Sequence, residues 1–359
     1  MSETLTRPAL PALPPQPAGV PWPTRKWPEG KPPARLTSTR FAELLDQAFA
    51  AKSTARLGET HALLIVQGGR IVHEQYGEGC GPDQTYPSWS KAKSITHALV
   101  GIAVGDGKID VSAPADVPDW RGEGDPRGAI TLDHLLRMSS GLGWVEEYLP
   151  DRPSDVIAML FGKGKDDVAG YAAKSRLAHE PGSHWYYSSG TTNIVARTLG
   201  RAIGAQGEAF EAYMRDRLFT PIGIRSPVPK FDAAGTFIGS SFCYCTARAF
   251  ARFGLLYLRD GVWDGQRILP EGWVDYARTP TFQAPGVAET EGGYGAHWWL
   301  DIAGPGSFSA NGYDGQYTVC VPDLDLVLVR HGATPLELKD ELKDWIGEVV
   351  GCFRGAAKA

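Results

Sequence analysis

Two overlapping S-x-x-K spacings occur in the run SWSKAKS, residues 88–94. Positions i and i+3 of a helix are neighbours, so this spacing sets a lysine ammonium beside a serine hydroxyl. A lysine that is partly desolvated at the start of a buried helix has a lowered pKa and can accept the serine proton. The chemistry predicted is therefore nucleophilic attack by serine. On this motif alone, a capping serine with a solvated lysine is the simpler interpretation, because such short matches recur by chance.

Two further segments carry side chains suited to the same chemistry. EPGSHWYYSSG, residues 180–190, precedes a helical pattern, and FSANGYDGQ, residues 308–316, lies between two predicted strands. Each also has a purely structural interpretation: a turn into a helix with aromatic packing for the first, and a hairpin turned at Asn311-Gly312 for the second. No serine has glycine both two positions before and two positions after it, which excludes the nucleophile elbow of α/β-hydrolases. A Ser-His-Asp triad cannot be assembled from spacing alone.

In order and context, these three segments resemble the serine β-lactamase and penicillin-binding superfamily. The resemblance is closest to its class C-like branch, which also holds esterases and 6-aminohexanoate-dimer (nylon oligomer) hydrolases. In that branch S-x-x-K opens a buried helix, Y-S-N or Y-x-S follows well downstream, and a third motif lies on an edge strand. Residues 132–144 and 246–263 are also similar to this family. The resemblance covers about residues 55–350 and implies a β-lactamase/transpeptidase-like fold.

The resemblance implies the catalytic roles. Ser90 is the expected nucleophile and Lys93 its partner, because the family's Lys-Ser-apolar-Thr continuation fits residues 93–96. Helical periodicity alone leaves Ser88 open as the nucleophile. Tyr187 is the expected tyrosine of the second motif and shares general acid and base work with Lys93. A phenol titrates near about 10, so a nearby ammonium is required to make its anion accessible at neutral pH.

The third motif implies how the substrate carbonyl is held. The backbone N–H groups of Ser90 and Tyr313 are expected to form the oxyanion hole. Ala310-Asn311-Gly312 stands where penicillin-recognising enzymes carry Lys-Thr-Gly. That lysine normally meets the carboxylate of a penicillin, so its absence favours ester or linear-amide substrates over β-lactams.

Several side chains are candidates for contact with the substrate. Ser189 replaces the more usual Asn of the second motif and can orient a substrate amide or Lys93. The other candidates are the third-motif residues and three large aromatics: Asn311, Gly312, Trp144, Tyr148 and Trp299. Large aromatics are more often simply packed in a core. For Glu146 and Glu147, a solvated loop is favoured over binding of a substrate amine, given the usual exposure of Glu.

The predicted reaction is two-step acyl transfer to water. The preferred substrates are small carboxylic esters and short linear amides, including 6-aminohexanoate oligomers. A β-lactamase or D-amino-acid peptidase is the alternative enzyme, and a non-catalytic penicillin-binding-like sensor is the alternative from another class. No cofactor is needed for this chemistry. A metal site is disfavoured because the closest histidine pair, His179 and His184, has Pro181 between its members and lacks HExxH spacing.

The elements that must position these residues follow from periodicity. A helix is predicted over 40–51, a hairpin from 62–66 and 71–76 around Gly68-Gly69, and a buried helix over 94–104. Helical patterns dominate 107–230, including a helix within 130–144 that Thr131 caps and Gly141 follows. Strands are predicted at 307–310, 316–321 and 326–331, before a last amphipathic helix.

This order predicts an α+β fold in which a helical lobe is inserted into an antiparallel sheet lobe. The expected divisions are a proline-rich arm at 1–34, an α/β lobe formed by 35–86 and 232–359, and a mainly helical lobe at 87–231. The active site is expected at the junction of the two lobes, where clefts usually form. Ten of the 27 prolines fall within residues 1–33. That segment is predicted to be either an extended arm over a neighbouring surface or a disordered tail.

Composition narrows the partners. The net charge is −5 and basic residues are scattered, which argues against nucleic-acid binding. There is no apolar run of ~20 residues and no secretory signal, so neither a membrane span nor export is expected. The five cysteines form no CxxC pair and are predicted to be reduced thiols in a cytoplasmic protein. The expected partner is a small-molecule ester or amide, and the sequence leaves a homodimer open.

Overall fold

The computed structural model describes residues 10–33, 36, 39–50, 56–149, 151–281 and 293–354. Among these residues, the largest element is a six-stranded antiparallel sheet. Its strand order is β2-β1-β11-β10-β9-β8. The strands are β1 (Glu59–Gln67), β2 (Arg70–Tyr76), β8 (Trp299–Leu300), β9 (Phe308–Gly312), β10 (Gln316–Val321) and β11 (Leu326–Ala333). The predicted hairpin is confirmed, because β1 and β2 pair around a turn in which Gly68 and Gly69 have φ of 57° and 72°.

Three smaller strands form a second sheet in the order β3-β5-β4, and two more form a short hairpin. These strands are β3 (Thr85–Tyr86), β4 (Val228–Pro229), β5 (Cys243–Thr246), β6 (Val262–Trp263) and β7 (Gln266–Arg267). The α-helices are α1 (Thr39–Phe49), α2 (Lys91–Gly105), α3 (Leu132–Leu136), α4 (Asp155–Leu160), α5 (Val168–Ala173), α6 (Ser189–Ile203), α7 (Gly207–Met214), α8 (Ala247–Leu258), α9 (Trp273–Arg278) and α10 (Lys339–Arg354). The predicted α+β fold class is confirmed.

Both faces of the large sheet are buried. Along β1, Leu64 and Val66 join one core while Leu63 and Ile65 join the other, as the twofold alternation of a strand requires. Helices α2 and α8 complete the core that contains Leu64 and Val66, and helices α1 and α10 complete the core on the opposite face. Covering both faces explains why β1 is a nearly continuous apolar run rather than an alternating one.

The buried central helix is α2. All but its last two residues are buried, so the helix is enclosed on every side, as its apolar sequence predicts. Its close packing shows at Gly101, where a Cβ would lie 2.2 Å from the indole nitrogen of Trp273. Helix α6 begins beside α2 and is capped by Ser188, whose hydroxyl accepts a hydrogen bond from Thr191 N at 3.1 Å. The two helix N-termini thereby bring the first and second motifs together.

Two local predictions differ from the structure. Helix α3 is capped by Thr131 as expected, but it ends at Leu136 rather than shortly before Gly141. Gly141 instead has φ of 75° and lies so close to His179 that a Cβ would be 2.1 Å from its carbonyl oxygen. Asn311 and Gly312 belong to strand β9, and the hairpin turns at residues 313–315 instead.

The described part of the N-terminal arm, residues 10–33, lies against its own chain. Trp263 Nε1 donates to Thr24 Oγ1 at 2.8 Å, and Arg252 Nε donates to the carbonyl of Pro23 at 2.7 Å. Glu29 pairs with Ile71 at the edge of β2. These contacts tie the described residues of the segment to the rest of the protein. Residues 1–9 and 34 lie outside the described part of the chain, and the arm at 1–34 stays a prediction. The lobe boundaries at 87 and 231 stay a prediction.

All five cysteines are free thiols, and Cys243, Cys245 and Cys320 are buried. No helix among the described residues is both long and apolar enough to span a bilayer.

Candidate active site

Ser90 lies at the turn that leads from β3 into α2. It is the N-cap residue of α2, yet its hydroxyl caps no backbone N–H and accepts a hydrogen bond from Lys93 Nζ at 3.0 Å. The preceding residue, Trp89, has φ of 42°, a left-handed conformation that costs a non-glycine residue about 1–3 kcal/mol. The Trp89 ring packs against Phe242 and Tyr313, with centroids 5.6 and 5.7 Å away. This packing holds the strained turn that presents Ser90 to solvent.

The overlapping pair, Ser88 and Lys91, is arranged differently. Ser88 is fully buried, and its hydroxyl donates to the carbonyl of Ser241 and accepts from Cys243 N. Lys91 Nζ lies 3.2 Å from His331 Nε2 and 3.3 Å from the centroid of the Phe250 ring. Hydroxyl and amine therefore point into separate parts of the core. Of the two S-x-x-K pairs, Ser90–Lys93 brings the reactive groups into contact beside a cleft.

Lys93 is buried and makes three hydrogen bonds. Its Nζ donates to Ser90 Oγ, Ser189 Oγ and the carbonyl oxygen of Ser240, each at 3.0 Å. Burial lowers the pKa of Lys93 to about 8, and the negative charge of Glu146 opposes this shift. About a tenth of the lysine is then neutral at pH 7, and this fraction grows as the pH rises. Lys93 can therefore accept the proton of Ser90.

Tyr187 lies directly before α6, with the centroid of its ring 4.7 Å from Lys93 Nζ. The ring packs against Trp299 and Tyr294, whose centroids are 5.3 and 6.0 Å away. Burial raises the pKa of Tyr187, Glu146 raises it further, and a hydrogen bond with the Ser90 side chain opposes both. The expectation of an accessible phenolate is therefore wrong for the free protein, because the pKa moves in the opposite direction. Tyr187 is a neutral phenol, suited to donating a proton.

Glu146 belongs to a hydrogen-bonded cluster that was not predicted from the sequence. Rather than lying in a solvated loop, its carboxylate accepts hydrogen bonds from Trp144 Nε1 at 2.6 Å and Tyr148 OH at 2.7 Å. It also accepts from Ser189, whose N–H lies at 2.9 Å and whose hydroxyl lies at 2.5 Å. The alternation W-x-E-x-Y could have indicated this cluster, since residues i and i+2 of an extended segment share a face.

The third motif approaches the N-terminal turn of α2 very closely. A Cβ at Gly312 would lie 2.4 Å from the carbonyl oxygen of Ser88 and 3.1 Å from Trp89 Cβ. Only glycine allows this approach, which brings the end of β9, directly before Tyr313, against the turn that leads into Ser90. Both residues line the same cleft. The predicted oxyanion hole therefore has its two backbone segments side by side.

The cleft has a volume of about 1310 Å³ and runs from Ser90 toward α10. Four of the predicted substrate-binding residues line it: Tyr148, Trp299, Asn311 and Gly312. Trp144 and Ser189 are buried behind the wall instead, where Trp144 packs on Gly190 and Ser189 contacts Lys93.

Charge along the cleft is uneven. Ala310, at the position where the family carries lysine, is buried and apolar. Among the described residues, the basic side chains that line the cleft are Arg56, Lys339 and Lys343, and the last two belong to α10. Aromatic rings of Tyr148 and Tyr313, 5.2 Å apart, form part of the wall near Ser90. The end near the nucleophile is therefore aromatic rather than cationic.

His179 and His184 stack with centroids 4.2 Å apart on the surface, but no group of three or more His, Cys, Asp or Glu side chains among the described residues is arranged to hold a metal ion.

Comparison with known proteins gives a family and a relative for this chain. The chain matches the beta-lactamase family over residues 45–348. It is 26% identical over 316 residues to the 6-aminohexanoate-dimer hydrolase of Paenarthrobacter ureafaciens, covering 84% of this chain and 78% of that protein.

Two solved structures share the fold. A candidate 6-aminohexanoate-dimer hydrolase from Bacillus anthracis superposes with a TM-score of 0.71 at 21% identity, covering 89% of this chain and 86% of that one. A family VIII carboxylesterase superposes with a TM-score of 0.64 at 15% identity, covering 90% of this chain and 99% of that one. Because the family match spans most of the sequence, the chain belongs to the beta-lactamase family of serine hydrolases.

Proposed function

We propose that this protein cleaves small carboxylic esters or short linear amides, such as 6-aminohexanoate oligomers, through an acyl-enzyme on Ser90. The observation that carries the proposal is the 3.0 Å contact between Lys93 Nζ and Ser90 Oγ at the edge of the cleft. A buried amine with a lowered pKa, in contact with a hydroxyl, is the arrangement that activates a serine without histidine.

Each step uses a group already in place. Neutral Lys93 takes the proton of Ser90 as the serine oxygen attacks the substrate carbonyl. The N–H groups of Ser90 and Tyr313 stabilise the oxyanion, at about 3 kcal/mol per donor. Tyr187 donates its proton to the departing alcohol or amine and recovers one from protonated Lys93. Water then attacks the acyl-enzyme, with the same two residues moving protons in the reverse direction.

The preferred substrate class follows from the cleft. A penicillin needs a cation for its carboxylate, and Ala310 supplies none at the family's lysine position. The aromatic walls near Ser90 favour apolar acyl or alkyl groups through burial of their surface. Similarity to a 6-aminohexanoate-dimer hydrolase and to the fold of a carboxylesterase supports linear amides and esters as the classes to test.

A turnover panel on purified protein tests this proposal. We expect hydrolysis of p-nitrophenyl esters and of the 6-aminohexanoate dimer, with little hydrolysis of nitrocefin. Ser90→Ala should abolish turnover, whereas Ser88→Ala, in the overlapping S-x-x-K pair, should retain it in protein that is still folded. Rapid nitrocefin hydrolysis with inert esters would identify a β-lactamase instead. No turnover and no covalent adduct would favour the non-catalytic sensor.

A further inference from the structure

We infer that Glu146 is a positioning residue: acting through Ser189, it aims the Lys93 amine at Ser90 and sets the pH at which this amine becomes a base. The inference rests on the proposed function, since it concerns how acylation of Ser90 is assisted. It assigns a role to a carboxylate that neither touches the nucleophile nor belongs to the three motifs.

Hydrogen-bond direction along the chain of contacts is fixed by chemistry. An ionised carboxylate can only accept, so the Ser189 hydroxyl must donate its one proton to Glu146, 2.5 Å away. The Ser189 oxygen is then an acceptor toward Lys93 Nζ at 3.0 Å. The carbonyl of Ser240 is likewise an acceptor at 3.0 Å. Two N–H groups of Lys93 are therefore committed to Ser189 and Ser240.

This commitment decides where the lone pair of the neutral amine points. A neutral lysine amine has two N–H groups and one lone pair. With both N–H groups engaged, the third direction, toward Ser90 Oγ at 3.0 Å, is left for the lone pair. The base is thus oriented toward its proton before substrate arrives. Without Glu146, the Ser189 hydroxyl could turn and donate to Lys93, which would compete for that lone pair.

Glu146 is itself held rigidly. Besides Ser189, its two oxygens accept from Trp144 Nε1 and Tyr148 OH. The loop that carries it is tied to α4, since Asp155 accepts from Val145 N at 2.9 Å. Four hydrogen-bond donors, counting both the N–H and the hydroxyl of Ser189, therefore fix the position of this carboxylate.

The electrostatic environment isolates the effect of Glu146. The charged and titratable side chains that face Lys93 come from three segments: Glu146 from the loop after α3, Tyr187 from the segment before α6, and His297 from the segment before β8. Burial lowers the pKa of His297 to about 3, so it is neutral, and Tyr187 is a neutral phenol. Glu146 is therefore the charge that raises the pKa of Lys93. Its loss should lower the pH at which Lys93 becomes a base by about one unit.

The test is the pH dependence of the acylation burst with p-nitrophenyl acetate. Glu146→Gln removes the charge and should shift the midpoint of the ascending limb about one unit to lower pH, with a reduced plateau because the orientation is disturbed. Ser189→Ala keeps the charge of Glu146 but removes the hydroxyl that links Glu146 to Lys93. The plateau of the acylation rate should therefore fall, and the midpoint should shift less than in Glu146→Gln. Glu146→Asp keeps the charge and should restore the wild-type midpoint.

Glu147→Gln is the matched control. It removes the same charge one position along the loop, but Glu147 accepts from the backbone of Tyr148 and Leu149 rather than from Ser189. Its midpoint should stay at the wild-type value. A Glu146→Gln midpoint that coincides with wild type in folded protein would overturn the inference. If wild type itself releases no p-nitrophenol above the uncatalysed rate at any pH, the proposed function fails instead, so the two failures are distinguishable.

Discussion

Replacing Gly312 by alanine should damage catalysis far more than folding. The added Cβ would lie 2.4 Å from the Ser88 carbonyl oxygen, 3.1 Å from Trp89 Cβ and 3.2 Å from Gln316 Cβ. Carbon–oxygen contacts normally begin at about 3.3 Å, so the end of β9 must retreat by roughly 0.9 Å. Gly312 has φ of −134°, so the substitution introduces no backbone strain of its own. The steric clash alone moves the backbone of Tyr313 away from Ser90.

A displacement of this size is large for an oxyanion donor. Misplacing a reacting group by about 1 Å costs on the order of 100-fold in rate, and losing one donor costs about 100- to 1000-fold. We therefore expect kcat for p-nitrophenyl esters to fall about 100-fold, while overpacking lowers the free energy of unfolding by about 1–3 kcal/mol. Steady-state kinetics and thermal unfolding measure the two effects. Gly351→Ala on α10, where nothing lies within 4 Å, is the control. Full activity in folded Gly312→Ala would refute the assignment of Tyr313 to the oxyanion hole.

Three further predictions address the proton carriers. The acylation rate should rise about fivefold from pH 7 to pH 8, because Lys93, with its pKa lowered to about 8, is neutral above that pH and protonated below it. A rate that falls over this interval, measured as a stopped-flow burst, would contradict the assignment of Lys93 as the base. Tyr187→Phe should slow amide hydrolysis by at least about 100-fold but slow hydrolysis of p-nitrophenyl esters much less, since p-nitrophenolate leaves without protonation. Equal losses in kcat for both substrates would argue against Tyr187 as a proton donor. Lys93→Met should abolish turnover, whereas Lys91→Met should keep it. Lys91→Met should also lower the free energy of unfolding by about 1–3 kcal/mol, because His331 Nε2 loses its partner. Inactivity of folded Lys91→Met would mean that the wrong lysine has been assigned.

Much of the fold could be predicted because its elements follow their own periodicity. In the β1–β2 hairpin, two runs of β-forming residues flank Gly68-Gly69, and strand β10 begins and ends at the predicted residues. The helix at Thr131 was predicted too long, because the chain leaves the helix after Leu136, with Met138 at φ of 57°, and Gly141 instead contacts His179, which is distant in sequence. No local pattern records that contact.

The residues of the candidate site, like the elements of the fold, could be predicted only in part. Ser90, Lys93 and Tyr187 were predicted from motifs, and the structure brings all three together. Glu146 was not, because it is held by a set of donors that converge from two separate segments of the chain. The direction of the Tyr187 pKa shift was also missed, since burial and the charge of Glu146 both raise this pKa and only the folded environment supplies them.

Trapping the acyl-enzyme would show directly whether Ser90 is the nucleophile. Purified protein would be mixed with a p-nitrophenyl ester, quenched in acid during the burst and digested for peptide mass spectrometry, with Ser90→Ala treated in parallel. We expect one acyl group per chain on Ser90, absent from Ser90→Ala and formed far more slowly in Lys93→Met. An acyl group on another residue, or unchanged turnover in Ser90→Ala, would contradict this expectation.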